Sequence, residues 1–251
     1  MSFWFWHGLS NGVRSTGYPR VPESAPGVTP GRPVATEFSS AERSSLAAAD
    51  CPVDAIVPRG ASALVDLRSC VYCQRCRFGG AYPLQWTQDH EWTTVAAGRE
   101  NYVPLPRSYR RSLHIMVVDA GDCGACLHEV KHLNNPFYNA HRLGIFFTAT
   151  PRSADVLLVV GPVSENMRVP LLKTYEAMPT PKRIVAVGAC AITGGVFGRG
   201  FMSAGGVSSV LPVDLEIPGD PPPPLAILHG LLAVTGRKAL APRQPDFGRT
   251  A

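Results

Sequence analysis

The chain has seven cysteines, and their spacing separates them into two groups. In the first group, Cys70, Cys73 and Cys76 follow one another at three-residue intervals. This C-x2-C-x2-C spacing wraps three corners of a cubane iron–sulfur cluster, whose fourth ligand is a distant cysteine followed by proline. Cys51 precedes Pro52 and fits that description. We therefore predict that these four cysteines hold one 4Fe-4S cluster.

Ferredoxins with two clusters carry a duplicated version of this pattern, and the second copy is missing here. Its four ligands would fall at positions that carry Ala41, Ser44, Ala47 and Gly80. Because every ligand of one cluster is absent while every ligand of the other is present, we predict a ferredoxin-like module with a single cluster. The alternative is a zinc site on the same four thiolates. Zinc sites more often use two separated C-x2-C pairs, so the pattern favours iron–sulfur.

The second group of cysteines lies further along the chain, in the stretches DCGAC and VGAC. It consists of Cys123, Cys126 and Cys190. Three thiolates need a fourth partner to hold a second cluster.

Apolar runs rich in β-branched residues alternate with helical stretches in this second half of the chain. The predicted strands are residues 113–120, 143–150, 154–162 and 183–190, and the predicted helices are 125–134, 165–178 and 225–236. Such alternation predicts an α/β fold with a flavodoxin-like, doubly wound parallel sheet, whose ligands bind at the carboxyl ends of the strands. Cys123 and Cys190 fall directly after two of these strand ends.

The composition predicts five segments along the chain. They are an N-terminal arm and extension (1–50), the ferredoxin-like module (51–85), a linker (86–111), the α/β domain (112–240) and a tail (241–251). The arm begins with a short amphipathic segment led by Phe3, Trp4, Phe5 and Trp6. Packing on a partner protein and contact with a lipid interface are equally good interpretations of this segment.

The bulk composition excludes several classes of protein. The net charge is +5, but the basic residues are scattered and not interleaved with aromatics, so nucleic acid is not indicated. No stretch approaches the roughly 20 apolar residues of a membrane span. We recognise no secretory signal and expect folding in the cytoplasm, where cysteines serve as metal ligands more often than they form disulfides.

The α/β half resembles a known family, the small subunit shared by energy-converting NiFe hydrogenases, including formate hydrogenlyase, and by respiratory complex I, where it is the 20 kDa iron–sulfur subunit. The matching stretches are DCGAC followed by Glu129, ADVLLVVGPVSENM, YEAMPTPKRIVAVGACAITGGVFG and VLPVDLEIPGDPPPPLAIL. The upstream half resembles, more loosely, the ferredoxin subunit of the same complexes through WHGLSNGVRSTGYPR and the cysteine pattern. The resemblance implies two neighbouring electron-transfer subunits fused into one chain.

One departure from the family concerns the fourth ligand of the second cluster. The family carries PGCPP where this chain reads PGDPP, so the resemblance puts Asp220 at the fourth ligand position, with Cys123, Cys126 and Cys190. A carboxylate is a harder donor than a thiolate. We therefore consider three outcomes in order of preference: an Asp-ligated 4Fe-4S cluster, a 3Fe-4S or labile cluster, and no cluster.

The resemblance also implies the function and the partners. Complex I members typically have adjacent cysteines where this chain has Cys123 and Cys126 separated by two residues, which favours the hydrogenase branch. The chain would relay electrons for a NiFe hydrogenase-like large subunit, beside a further iron–sulfur or redox subunit and a membrane arm of antiporter-like subunits, on the cytoplasmic face of the membrane. Glu129 would lie near the cluster at the large-subunit interface, as a proton relay or an interface salt bridge. The alternatives are a complex I-like quinone reductase subunit and a zinc-stabilised scaffold without redox activity.

The stretch HEVKH, residues 128–132, matches the H-E-x-x-H pattern of zinc proteases. No further ligand follows at the spacing of the metzincin family, and Cys126 lies two residues upstream. We therefore assign this stretch to the second cysteine group and predict no protease site.

Overall fold

The computed structural model describes residues 3–12, 14–79 and 82–243. Gly80 and most of the predicted tail lie outside these residues. Within them, the largest sheet has six strands in the spatial order β6-β11-β10-β9-β7-β8. The strands are β6 (Thr94–Val95), β7 (Leu113–Asp119), β8 (Ile145–Phe147), β9 (Val156–Val160), β10 (Arg183–Val187) and β11 (Leu215–Ile217). Five of them run parallel, and β6 pairs antiparallel with β11 at one edge. The predicted α/β class is confirmed.

The helices of this domain cover the sheet. They are α4 (Ala125–His132), α5 (Glu165–Ala177), α6 (Ala189–Thr193) and α7 (Pro224–Val234). Every residue of α7 is buried, as expected for a helix that is apolar on all sides. Strand β9 is also buried along its whole length, because helices cover both faces of the sheet at its centre.

Two strands of this sheet are absent from the predicted set, the edge strand β6 and its neighbour β11. Strand β6 lies in the predicted linker, and β11 spans only Leu215–Ile217. Two or three residues are too few to show the alternation that marks a strand in a sequence. The linker therefore contributes a strand to the α/β sheet.

The upstream half forms a small antiparallel sheet with a helix packed on it. In the described residues its strand order is β2-β4-β3, with β2 at Thr36–Glu37, β3 at Ile56–Arg59 and β4 at Ser62–Val65. Helix α2 (Ala41–Ala49) packs on β3 and β4. A separate pair joins β1 (Arg32–Pro33) to β5 (Trp86–Thr87), and α3 is a single turn at Arg75–Phe78.

The chain begins with an exposed helix, α1 (Phe3–Asn11). Its aromatic side chains face solvent, and the side chain of Trp4 is 75% exposed. In the described part of the chain, no helix is both long and apolar enough to cross a membrane.

Candidate metal centres

The four cysteines of the first group line one cavity, which we call site 1. Cys51, Cys70, Cys73 and Cys76 all contribute to its wall. The loop between them turns sharply, because Tyr72 and Gln74 adopt left-handed backbone angles, with φ of 51° and 58°. The backbone N–H of Ala55 donates to the sulfur of Cys51 at 3.3 Å. Winding of this loop brings Cys70, Cys73 and Cys76 together, and Cys51 reaches the same cavity from the end of helix α2.

The first three positions where ligands of a second cluster would stand, Ala41, Ser44 and Ala47, lie in the regular helix α2 and not in a loop like that of site 1. Ser44 and Ala47 lie on the buried face of α2, three residues apart. The Ser44 hydroxyl donates to the backbone carbonyl of Gly60 at 2.6 Å. This packing against the hairpin of β3 and β4 fills the space with side chains, so the described structure has one thiol-lined cavity in the module. Gly80, at the position of the fourth ligand of the absent cluster, lies outside the described residues.

Two thiols of site 1, those of Cys70 and Cys76, have raised pKa values. Burial raises the pKa of Cys70 to about 12, and the nearby thiols of Cys76, Cys51 and Cys73 add to the shift. Burial also raises the pKa of Cys76. Four thiolates in one cavity repel one another, and a bound cation reverses this effect because it favours their deprotonated form. The donor set therefore fits a positively charged metal group.

The second group of cysteines converges with Asp220 at the carboxyl edge of the parallel sheet, which we call site 2. Cys123 follows β7, Cys190 is the second residue of α6 after β10, and Asp220 follows β11. Cys126 lies in the first turn of α4 and is fully buried. Its pKa is raised by burial and further by the charges of Asp122, Asp220, Cys190 and Cys123. Parallel strands end at one edge, and this brings together donors that are distant in sequence.

Two glycines form a close-fitting wall around the sulfur atoms of site 2. A Cβ atom on Gly188 would lie 2.5 Å from the sulfur of Cys126. A Cβ atom on Gly195 would lie 2.6 Å from the sulfur of Cys190. Both distances are well below van der Waals contact, so any side chain at these positions would displace a thiol. Close approach to a sulfur atom thus explains Gly195, whereas a Cβ atom on Gly194 would meet the backbone of Gly198 and Gly205.

Asp220 is half-buried, and its surroundings favour a neutral or coordinated carboxyl group. Burial raises its pKa, and the carboxylate of Asp122 adds to the shift. Asp122 itself accepts hydrogen bonds from the backbone N–H groups of Gly124 and Leu127, each at 3.0 Å. Asp122 therefore organises the loop between Cys123 and Cys126 through hydrogen bonds to the backbone.

Glu129 lines a second cavity beside Asp220. The wall of this cavity also includes Tyr72 and Tyr138. Because Tyr72 lies between Cys70 and Cys73, the cavity extends from site 2 to the loop of site 1. His128 and His132 share a face of α4, and their ring centroids are 4.5 Å apart.

Neither site has the geometry of a single bound ion. In the described ranges, no three or more His, Cys, Asp or Glu side chains are arranged to hold one metal ion.

Several residues that connect the two sites were not predicted. Arg68 forms a bidentate pair with Glu216 in β11, at 2.8 and 3.1 Å. The indole N–H of Trp92 donates to the Pro218 carbonyl at 2.8 Å, and the Trp92 ring packs on Tyr72. A glutamate inside the apolar stretch LPVDLEIP was a usable signal for a buried pair, but its partner is 148 residues away.

Comparison with known proteins identifies the family. The family model described as NADH ubiquinone oxidoreductase, 20 kDa subunit, matches residues 123–234. The chain is 42% identical over 124 residues to an NADH-quinone oxidoreductase subunit of Citrifermentans bemidjiense, covering 49% of this chain and 71% of the relative. The chain therefore belongs to the NADH ubiquinone oxidoreductase 20 kDa subunit family, as the resemblance implied, and it is an oxidoreductase subunit.

Two further relatives are named as a membrane-bound hydrogenase subunit and a formate hydrogenlyase subunit. The chain is 38% identical over 122 residues to a probable membrane-bound hydrogenase subunit of Pyrococcus furiosus, covering 49% of this chain and 73% of the relative. It is 34% identical over 160 residues to formate hydrogenlyase subunit 7 of Escherichia coli, covering 64% of this chain and 60% of the relative. The family model begins at Cys123, so the ferredoxin-like module and the five-segment division remain predictions.

Proposed function

We propose that this chain relays electrons between the active site of a partner subunit and the next carrier, through one 4Fe-4S cluster at each site. The observation that carries the proposal is the presence of two separate thiol-lined sites in one chain of an oxidoreductase family. When bound, an iron–sulfur cluster accepts and donates electrons at a potential that its ligands and hydrogen bonds adjust. The chain's own residues would hold the clusters, exclude water from buried thiols and fix the distance between the two sites.

Site 1 would use Cys51, Cys70, Cys73 and Cys76, and site 2 would use Cys123, Cys126, Cys190 and Asp220. Asp220 is the ligand that distinguishes this chain from the family pattern. Its half-burial beside Cys126 and Cys190 supports a role as an oxygen donor to one corner of the second cluster. A hard oxygen donor binds iron less covalently than a thiolate, so a labile or three-iron cluster is the second candidate for this site.

The partners in this proposal are a NiFe hydrogenase-like large subunit, a further iron–sulfur or redox subunit and a membrane arm of antiporter-like subunits. Relatives named as a membrane-bound hydrogenase subunit and a formate hydrogenlyase subunit support this choice. The chain would lie at the cytoplasmic face of the membrane without crossing it. Catalysis would take place in the partner, and Glu129 would pass protons toward it from the cavity beside Asp220.

A complex I-like quinone reductase is the second candidate, favoured by the identity to a quinone oxidoreductase subunit. The C-x2-C spacing of Cys123 and Cys126 favours the hydrogenase branch. The purified complex separates the two candidates, because a hydrogenase evolves hydrogen from a reduced donor and a quinone reductase reduces quinone.

Metal analysis of anaerobically purified protein tests the relay itself. We expect about eight iron atoms per chain and a brown absorbance near 400 nm for two cubane clusters. Zinc without iron would refute the relay and support the scaffold alternative. About four iron atoms per chain would mean that the relay has one cluster. Cysteine-to-serine variants at each site would then show which site holds the iron.

The role of Asp220 is tested at the same position. Asp220→Cys restores the family's thiolate, Asp220→Asn removes the charge at nearly constant size, and Glu176→Cys adds a thiol on the exposed face of α5 as a control. We expect the electron paramagnetic resonance (EPR) spectrum of the reduced protein to change in both Asp220 variants and not in the control. Identical spectra for all four proteins would show that Asp220 is not a ligand.

A further inference from the structure

The stretch that leads into Cys70 is attached to the α/β domain by a charged contact. Arg68 lies two residues before Cys70. Its Nε atom donates to Oε2 of Glu216 at 2.8 Å, and its Nη2 atom donates to Oε1 at 3.1 Å. This fork geometry fixes direction as well as distance, since two parallel hydrogen bonds define the plane of both groups.

The same arginine also approaches the helix that carries Cys190. The hydroxyl of Thr193 lies 3.5 Å from the backbone carbonyl oxygen of Arg68. Thr193 follows Cys190 by three residues, and Glu216 precedes Asp220 by four. Arg68 thus contacts helix α6, which carries Cys190, and strand β11, which precedes Asp220.

A rigid turn connects Arg68 to site 1. The carboxylate of Asp66 accepts from the backbone N–H of Arg68 at 3.0 Å and from the Ser69 hydroxyl at 2.9 Å. The backbone carbonyl of Asp66 accepts from the N–H of Cys70 at 3.1 Å. Movement of the arginine is therefore transmitted to Cys70 without a flexible joint.

The pair is sheltered from water on the glutamate side. The side chain of Glu216 is 4% exposed, and that of Arg68 is 27% exposed. Removing one partner of a buried pair leaves the other charge uncompensated, which makes the contact difficult to break locally. The apolar packing of Tyr72 on Trp92 continues the same interface toward Pro218.

We propose that the Arg68–Glu216 pair is the positioning contact that holds site 1 at a fixed distance and orientation from site 2. This inference rests on the two-site relay proposed above. The pair acts through the turn at Asp66–Cys70 and through β11, and it touches neither set of candidate ligands. The rate of electron transfer between the sites would then depend on a contact that includes none of the candidate ligands.

The test compares Glu216→Gln with Glu165→Gln. Glu165 is a matched control because its pair with Arg168 is exposed on both sides, at 3.6 Å. In Glu216→Gln, we expect amide hydrogen exchange of residues 69–76 to become about tenfold faster, with little change in the strands of the α/β sheet. We also expect the magnetic interaction between the two reduced clusters, seen as EPR line splitting, to weaken while the iron content stays constant. Glu165→Gln should leave both measurements unchanged.

A charge-swapped variant and a conservative variant complete the design. Amide hydrogen exchange of residues 69–76 should be slower in the double variant Arg68→Glu with Glu216→Arg than in either single variant. If Glu216→Gln does not fold, Arg68→Lys keeps the charge but loses the fork, and it should give an intermediate exchange rate.

The outcomes separate this inference from the relay on which it rests. If residues 69–76 exchange at the wild-type rate in Glu216→Gln, or if exchange accelerates equally throughout the α/β domain, the positioning role is overturned. Absence of a second paramagnetic cluster in the wild-type protein would overturn the relay, and the exchange measurement would still decide whether the pair positions the module.

Discussion

Gly195→Ala provides a quantitative test of site 2. Gly195 has a φ of 55°, and the added Cβ would lie 2.6 Å from the sulfur of Cys190 and 3.1 Å from its Cα. Left-handed backbone strain costs about 1–2 kcal/mol for an alanine. Overpacking against the sulfur adds about 1–3 kcal/mol. The total destabilisation is therefore about 2–5 kcal/mol, the sum of these two contributions.

The displacement of the sulfur matters more than the loss of stability. Ordinary contact begins at about 3.5 Å, so the Cys190 sulfur must move by about 0.9 Å. Metal–ligand distances tolerate only about 0.2 Å. We therefore expect Gly195→Ala to lose the iron of site 2, which is about four of eight atoms per chain for two cubane clusters, and to keep the iron of site 1.

Gly198→Ala is the matched control for this prediction. Gly198 lies in the same loop with a φ of 60°, and an added Cβ would meet nothing within 4 Å. It should show only the backbone strain of about 1–2 kcal/mol. Thermal unfolding by circular dichroism gives the stability difference, and iron analysis with EPR gives the occupancy. Equal stability and equal iron content in the two variants would refute the contact between this glycine and the candidate ligand.

Two further predictions concern pH and thiol chemistry. Burial lowers the pKa of His229, so the unfolded chain binds more protons as the pH falls below about 6.5, and stability should decrease there. Urea denaturation at descending pH should show this decrease in the free energy of unfolding, and the decrease per pH unit should be smaller in His229→Gln. The same pH dependence in both proteins would exclude His229 as its source. After iron removal, iodoacetamide should label the exposed Cys73 and Cys123 before Cys126, whose pKa is raised by burial. Mass spectrometry of the labelled peptides measures the order, and early labelling of Cys126 would contradict its burial.

The predictable parts of the fold were the long, strongly patterned elements. Strand β9 is apolar along its whole length and helix α7 is apolar apart from His229, and such runs indicate burial whatever surrounds them. Strand β6 could not be predicted because two residues carry no periodicity, and it exists through pairing with β11 across the sheet edge. Helix α2 was placed in an irregular extension, yet Ser44 and Ala47 pack on the hairpin of the module.

The candidate ligands were readable from residue type because metal coordination demands particular atoms at particular spacings. The run from Cys70 to Cys76 and the Cys51-Pro52 pair are local properties of the chain, whereas Asp220 was indicated as a ligand position only by the resemblance to the family. The placement of Cys123 and Cys190 after two strand ends also followed from the alternation of strands and helices, whereas β11, the strand before Asp220, was not predicted.

The relation between the two sites was decided by folding alone. Arg68 meets Glu216 across 148 positions, and Trp92 reaches the Pro218 carbonyl across 126. No local pattern encodes such pairs, since each partner is an ordinary residue until the sheet edge brings them within hydrogen-bonding distance. Residue chemistry therefore specified what each site could bind, whereas long-range packing determined how the sites are held together.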